Sequence, residues 1–178
     1  MITGHVFIAT SLDGFIARPD GDIGWLLARD DPTEDHGYDA FIATMDGIVM
    51  GRGTFETMRD VRPWPYSRPV TVLSASLRQS DLPADLTGSV QVTAANPEAV
   101  MTGLQAEGRA RVYVDGGQVI QSFLRAGLIA DMVITQVPVL LGAGRRLFGA
   151  LQADVPLHHE GTRAFPSGLV QSRYRIAT

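Results

Sequence analysis

Apolar residues along this chain follow two rhythms, and the points where one gives way to the other mark out its elements. Val6-Phe7-Ile8-Ala9 is a continuous apolar run closed by Thr10-Ser11-Leu12-Asp13-Gly14, which predicts a buried strand and a turn. A polar loop follows through Pro19-Asp20-Gly21-Asp22. Tyr38, Phe41, Ile42 and Met45 then recur at i, i+3, i+4 and i+7, the spacing of an amphipathic helix, with Asp46-Gly47 as its stop. Ile48-Val49-Met50 reads as a short strand running into Gly51-Arg52-Gly53-Thr54-Phe55-Glu56 and a brief helix. Pro69 to Leu73 predicts another strand, and Val90-Gln91-Val92-Thr93 alternates like one. Asn96 offers an N-cap, Pro97 the first helical position and Gly108 a C-terminal stop.

The second half repeats the scheme. Val112-Tyr113-Val114 leads into Asp115-Gly116-Gly117, after which Val119, Ile120, Phe123, Leu124 and Leu128 share one helical stripe, with Gly127 near its end. Met132 to Leu141 is apolar on both faces, as a central strand should be. Two alternating runs, around Leu157–Arg163 and Leu169–Ile176, are joined by Phe165-Pro166-Ser167-Gly168 and predict a closing antiparallel hairpin. Strands alternating with helices imply right-handed crossovers and a mostly parallel central sheet. The expectation is one α/β domain over residues 1–178 with an antiparallel edge.

Composition narrows the function. With 178 residues, 45% of them hydrophobic, and a net charge of −4, disorder is excluded. No run approaches ~18 apolar residues, so no membrane span is expected. The sequence pI near 5.5 argues against nucleic acid, which calls for clustered positive charge. The chain has no cysteine, hence no disulfide, thiolate metal site or Cys nucleophile. Met1-Ile2-Thr3-Gly4-His5 lacks the features of a signal peptide, and a cytoplasmic location is the expectation. All fifteen basic residues are Arg, which excludes Schiff-base chemistry and a P-loop lysine. A phosphate clamp here has to be built from Arg, backbone N–H groups and hydroxyls.

Two junctions share one design of strand, glycine turn and helix start: Met50-Gly51-Arg52-Gly53-Thr54 and Val114-Asp115-Gly116-Gly117-Gln118. Glycine lets a ligand approach the backbone, and a helix start presents unpaired N–H groups to an anion. Tight packing alone would also account for either junction. Glu56 stands where a Rossmann fingerprint requires its third glycine, so that motif is absent. Asp20-Gly21-Asp22 lacks the other ligands of a calcium loop and reads as a turn. His158 and His159 are adjacent in a predicted strand and so point to opposite faces. Trp64 and Tyr66, between prolines, read as loop packing.

Taken together, Ser11-Leu12-Asp13-Gly14-Phe15-Ile16-Ala17, Met50 to Glu56, Val72-Leu73-Ser74, Val112 to Gly117 and Pro138-Val139-Leu140-Leu141-Gly142-Ala143-Gly144 form a recognisable series. In it the chain resembles the dihydrofolate reductase superfamily, in particular the branch of the riboflavin-pathway deaminase–reductases' reductase domain and its single-domain relatives. The resemblance implies a dihydrofolate-reductase-like fold, an NADPH cofactor and a homodimer. By position it assigns the pyrophosphate to Gly51, Arg52, Gly53 and Thr54, with Arg52 also meeting the adenosine 2′-phosphate. Ser74 and Ser76 fall at the adenosine end, and Gly116, Gly117, Gln118 and Val119 at the second helix start. Ala9, Ile16 and Ala17 fall around the nicotinamide, with Leu12, Asp13 and Gly14 in a substrate-side loop. Counting back from Gly51 places the catalytic carboxylate at Asp35, supported by the Thr135 hydroxyl. Thr33 also looks like an N-cap, and Glu34 and Asp35 then suit the first turn of a helix without any catalytic role.

The function so implied is NADPH-dependent hydride transfer to a small pterin- or pyrimidine-like heterocycle or a related C=N or C=O compound. Dihydrofolate itself fits poorly, because the helix on the pterin side departs from that enzyme's pattern. The alternatives are a non-catalytic NADP(H)-binding or sensing protein on the same fold, and glycine junctions that are purely structural. For the homodimer interface, the Met132–Leu141 region and the final hairpin are both open.

Overall fold

The computed structural model describes residues 1–29 and 31–177. Its elements run β1 (Thr3–Ser11), β2 (Phe15–Ala17), α1 (Gly24–Leu27), α2 (Tyr38–Ala43), β3 (Gly47–Gly51), α3 (Arg52–Met58), β4 (Val70–Leu73), β5 (Val90–Thr93), α4 (Pro97–Ala106), β6 (Arg111–Asp115), α5 (Gly117–Arg125), β7 (Ile129–Val137), β8 (Arg145–Arg146), β9 (Leu157–Ala164) and β10 (Val170–Ile176). Eight of the strands form one sheet in the order β5-β4-β3-β6-β1-β7-β10-β9, while β2 pairs with β8 apart from it. Pairing is parallel from β5 through β7 and antiparallel at β10 and β9, as the alternation of elements predicts.

The strands in the middle are apolar on both sides because helices cover both faces. On one face, α4 and α5 pack Leu104, Ile120 and Phe123 against Val6, Val112 and Val114. On the other, α2 and α3 set Ile42 and Phe55 with Ile48, Met50 and Val72. A smaller cluster of Trp25, Val137, Phe165 and Leu169 lies against Ala9. The α4 signals hold in detail: the Asn96 carboxamide oxygen accepts from the Ala99 N–H at 2.8 Å, Pro97 is the first helical residue, and Gly108 has φ +85°. Among the described residues no helix is long and apolar enough to cross a membrane.

Several boundaries differ from expectation. The β7 strand begins at Ile129 and stops at Val137, just before Pro138, which has no N–H for the ladder. Thr33 is not a helix cap and Asp35 is not in a helix, since α2 starts only at Tyr38 behind Gly37. The cause is local. Asp31 accepts from the Thr33 N–H at 2.9 Å and Asp35 from the Gly37 N–H at 2.7 Å, turns that compete with a helix. Gly37, at φ +82°, then redirects the chain.

The two glycine junctions lock together. At Gly116, φ is +89°, and a Cβ there would lie 2.7 Å from Thr54 Oγ1. A Cβ on Gly51 would lie 3.2 Å from a Val119 methyl, and one on Gly117 would lie 2.8 Å from the Arg146 carbonyl oxygen. Each junction therefore fills the space its neighbour's glycines leave. Gly116→Ala should destabilise the ligand-free protein by about 2–4 kcal/mol, combining left-handed strain with overpacking. Urea unfolding reads this directly, and a loss below about 0.5 kcal/mol, the range of an ordinary surface change, would contradict the interlock.

Candidate functional site

The candidates expected around the nucleotide lie toward the carboxyl ends of β1, β3, β4 and β6, where α/β sheets bind ligands. Arg52 is the first residue of α3, and its guanidinium donates to Ser76 Oγ at 2.7 Å and lies 3.4 Å from a Glu56 carboxylate oxygen. Ser74 Oγ accepts from the N–H groups of Ser76 and Leu77 at 3.2 and 2.9 Å, shaping the turn after β4 that presents Ser76. The structure thus brings Arg52, Ser74 and Ser76 into one half-exposed cluster. Gly53 and Thr54 follow in the first turn of α3, and Gln118 is exposed in the first turn of α5.

A second guanidinium stands nearby. That of Arg145, on β8, lies 3.5 Å from where a Gly53 Cβ would be and 3.2 Å from where one on Gly21 would be. Sequence reasoning missed it, because only the pairing of β8 with β2 carries it to α3. Ile16 sits against Gly117, its Cδ1 2.9 Å from where a Cβ would be, and the Ala17 carbonyl oxygen presses on Gly144.

In the loop after β1, Asp13 acts as a latch. Its carboxylate accepts from Ser11 Oγ at 2.6 Å, from the Leu141 N–H at 3.1 Å and from the Gly142 N–H at 2.8 Å. The Ser11 hydroxyl, with help from the Gly142 and Leu141 N–H groups, holds its pKa down to about 2. Leu12 beside it is exposed and Gly14 has φ +84°. The carboxylate joins the loop after β1 to the segment at Leu141 and Gly142.

The expected pair of Asp35 and Thr135 is not joined by a hydrogen bond. Asp35 is exposed and caps Gly37 at the rim of a groove of about 750 Å³ that also touches Arg111, Arg163 and Arg173. Thr135 is buried on β7, and its hydroxyl accepts from the Gln171 carboxamide at 3.0 Å; the same group donates to the His36 carbonyl at 3.0 Å. Glu34 is tied to the β9–β10 turn by the Ser167 hydroxyl and N–H at 2.5 and 2.7 Å, and the Ser167 hydroxyl holds its pKa low.

Among the carboxyl groups of the described residues whose pKa is displaced, the one displaced upward is Asp115, the last residue of β6. Burial pushes its pKa up to about 6, although the Gly116 N–H, at 2.8 Å, and the Tyr113 hydroxyl favour the ionised form. It sits among phenols: burial and then the Asp115 charge raise Tyr38 to about 12, and the same two causes raise Tyr66 and Tyr113. The surrounding rings pack edge to face, with Phe41–Tyr113 centroids 5.3 Å apart and Trp64–Tyr66 5.1 Å. Two buried indole N–H groups, of Trp25 and Trp64, have no acceptor among the described residues.

With this geometry in hand, the comparisons with known proteins are decisive about family. The RibD C-terminal domain profile matches residues 3–171. This chain belongs to the RibD C-terminal domain family. Among its relatives are the uncharacterised Bacillus subtilis proteins YwjB, 32% identical over 90% of both chains, and YyaP, 26% identical over 94% of this chain and 91% of that one. The crystal structure of a putative riboflavin biosynthesis protein from Shewanella sp. PV-4 superposes with a TM-score of 0.91 at 37% identity, covering 99% of this chain and 100% of that one. A Thermotoga maritima diaminohydroxyphosphoribosylaminopyrimidine deaminase/5-amino-6-(5-phosphoribosylamino)uracil reductase shares the fold over 57% of its length, with a TM-score of 0.76 at 14% identity.

In this RibD-type domain the overlooked acid had a legible signal. Asp115 ends the run Val112-Tyr113-Val114 two residues after Tyr113, so strand alternation puts both on one face, immediately before the glycines. Its burial has a measurable consequence. The folded carboxyl keeps its proton to about pH 6, whereas the unfolded one releases it near 3.8. Between those values the folded state binds more protons, so stability falls as pH rises from about 4 to about 6, by about 3 kcal/mol for this group. Asp115→Asn should flatten that dependence and make the protein more stable at pH 7. Denaturant melts across the window check it, and a destabilised Asn variant at pH 7 would refute the raised pKa.

Proposed function

We propose that this domain is an NADPH-dependent reductase acting on a small heterocycle of pterin or pyrimidine type. The observation that carries this reading is the placement of two groups on adjoining strands. An exposed guanidinium, Arg52, oriented by Ser76, follows β3, and a carboxyl that holds its proton to about pH 6, Asp115, ends β6. Glycine by itself is no argument for a ligand here, because Thr54, Val119 and the Arg146 carbonyl already account for Gly116, Gly51 and Gly117. The donor chemistry is the better test. Arg52, its partner hydroxyl Ser76 and neighbouring Arg145 suit the phosphates of a 2′-phosphorylated dinucleotide, and Arg is a strong bidentate phosphate partner.

The reduced nicotinamide supplies the hydride when it is bound. This chain's own residues do the rest. Arg52, Ser74 and Ser76 hold the adenosine end; Gly53, Thr54 and Gln118 present the first turns of α3 and α5 to the pyrophosphate. Ala9, Ile16 and Ala17 form the floor for the ring. Asp115 Oδ carries the proton that a ring nitrogen or carbonyl oxygen of the substrate takes up, and Tyr38, Tyr66 and Trp64 keep water from it. A pyrimidine substrate is supported by the names of the Shewanella and Thermotoga proteins, which point to riboflavin chemistry.

Titration with NADPH and NADH, followed by the fluorescence of Trp25 and Trp64 or by calorimetry, tests the cofactor. NADPH should bind selectively, and Arg52→Ala should weaken it about 10–100-fold while leaving NADH nearly unchanged, the worth of one charge-assisted contact. Equal losses would remove Arg52 from the 2′-phosphate, and no binding of either nucleotide would overturn the reductase. Asp115→Asn should retain NADPH binding and lose most turnover of an accepted substrate. Wild-type turnover should decline as pH rises above about 6, where Asp115 gives up its proton. If bound NADPH is oxidised by no pterin, pyrimidine or small carbonyl compound, the non-catalytic NADP(H)-binding reading takes its place.

A further inference from the structure

The groove of about 750 Å³ whose rim carries Asp35 runs between α2 and the closing hairpin, and no residue of the two glycine junctions lines it. Strand register decides what faces it. Ala9, Thr135, Gln171 and Arg163 share one row across β1, β7, β10 and β9, and Phe7, Val133, Arg173 and Gly161 share the next. Rows two residues apart point to the same face, here the one against which α2 packs. Arg163 and Arg173 are therefore diagonal neighbours on that face, with Cα atoms about 7–8 Å apart.

The carboxylates of the groove are engaged elsewhere. Asp131 Oδ2 lies 2.8 Å from His5 Nδ1, Glu160 accepts from Arg175 at 3.1 Å, and Asp35 accepts from the Gly37 N–H at 2.7 Å. Arg173 meets no carboxylate among the described residues, and Arg163 donates to the Asp35 carbonyl at 3.4 Å. Two exposed guanidinium groups thus stand side by side, an arrangement that costs stability until an anion joins them. The floor is of a different kind. Phe7 and Phe41 are half-buried, with ring centroids 5.1 Å apart and planes tilted by 40°, and both border the groove. Two glycines keep the walls apart: a Cβ on Gly37 or on Gly161 would meet nothing within 4 Å. The Arg163 guanidinium is steadied over the Phe165 ring at 4.4 Å. Gln171 is pinned in turn, donating to Thr135 and to the His36 carbonyl at 3.0 Å each. The volume suits a small molecule, whose sites span about 300–1,000 Å³.

We infer that this groove is a second ligand site, taking a phosphate monoester carried on a planar ring. The phosphate lies between Arg163 and Arg173, and the ring lies on Phe7 and Phe41. At neutral pH a phosphate monoester carries nearly two negative charges, which two guanidinium groups match and one leaves unbalanced. A carboxylate, with a single charge, would leave the arginine pair half neutralised. The planar ring covers aromatic surface that is otherwise left to water. The site is separate from the acid of the proposed reductase. Neither Asp115 nor Tyr113 lines the groove, and Phe41 stands between, 5.3 Å from the Tyr113 ring.

Flavin mononucleotide (FMN) is a suitable probe, because it fluoresces and riboflavin is the same ring without the phosphate. Titrated with the intact protein and no NADPH, FMN should show a saturable change in fluorescence. Riboflavin should bind about 10-fold more weakly, and Arg163→Ala and Arg173→Ala should each weaken FMN about 10-fold while leaving riboflavin unchanged. Gly161→Leu, in open space on the last strand of the sheet, should exclude both flavins while circular dichroism stays that of the natural chain. Arg52→Ala should bind FMN undiminished; loss of FMN there would place it in the nucleotide cleft and overturn the proposal. So would the lack of saturable binding, or equal affinity for the two flavins. FMN affinity that falls as protein concentration rises would mean that another chain covers the groove, with the same consequence. NADPH is absent throughout, so each of these failures leaves the reductase reading untouched.

Discussion

Thr54 Oγ1 occupies the space that a side chain on Gly116 would need, and much of the site's layout depends on that contact. β3 and β6 are neighbours in the sheet, and each passes directly into a helix. Two helix starts so close together cannot both carry side chains on their facing sides. Glycine at one and a small hydroxyl residue at the other let them clear each other, with Val119 over Gly51 completing the fit. The residues just outside the contact are then set apart. Arg52 is turned out toward the loop after β4, while Asp115 stays beneath the tyrosines.

Two aspartates show how environment decides the task of one side chain. Asp13 is surrounded by donors and ionises near pH 2, so it remains an anion wherever the protein is folded and serves as a permanent tie. Asp115 has fewer donors and apolar or phenolic neighbours, and it is still half protonated near pH 6. Desolvation separates them, and it separates them in the direction that divides structural from reactive carboxylates. Such burial costs stability at neutral pH, and residues that keep that cost usually have a use for it.

The strands and the longer helices were legible because their periodicity is carried by many residues at once; α4 was legible to the residue, since Asn96, Pro97 and Gly108 each mark a different point of it. Short elements were not. β2, α1 and β8 hold too few residues to show a period, and β8 carries Arg145 to a place no local pattern discloses. Asp35 was expected in the first turn of a helix, but Asx turns at Asp31 and Asp35 give that segment another shape. Asp115 was in view but unranked, because its burial depends on Tyr38 and Tyr66, which arrive from distant segments.

Tyr66, with Trp64 packed against its ring, approaches Asp115 from a stretch that forms no part of any sheet ladder. Pro63 and Pro65 stiffen that stretch, and its backbone joins a neighbouring strand only at its end, where the Pro69 carbonyl accepts from the Ile48 N–H at 2.9 Å. Insertions or exchanges there leave strand register intact, since nothing on either side is paired through it. The pair of glycine junctions, by contrast, is written into two adjoining strands and tolerates little change. A lineage with this architecture can rewrite one proline-rich stretch beside Asp115 while keeping the two interlocked junctions unaltered.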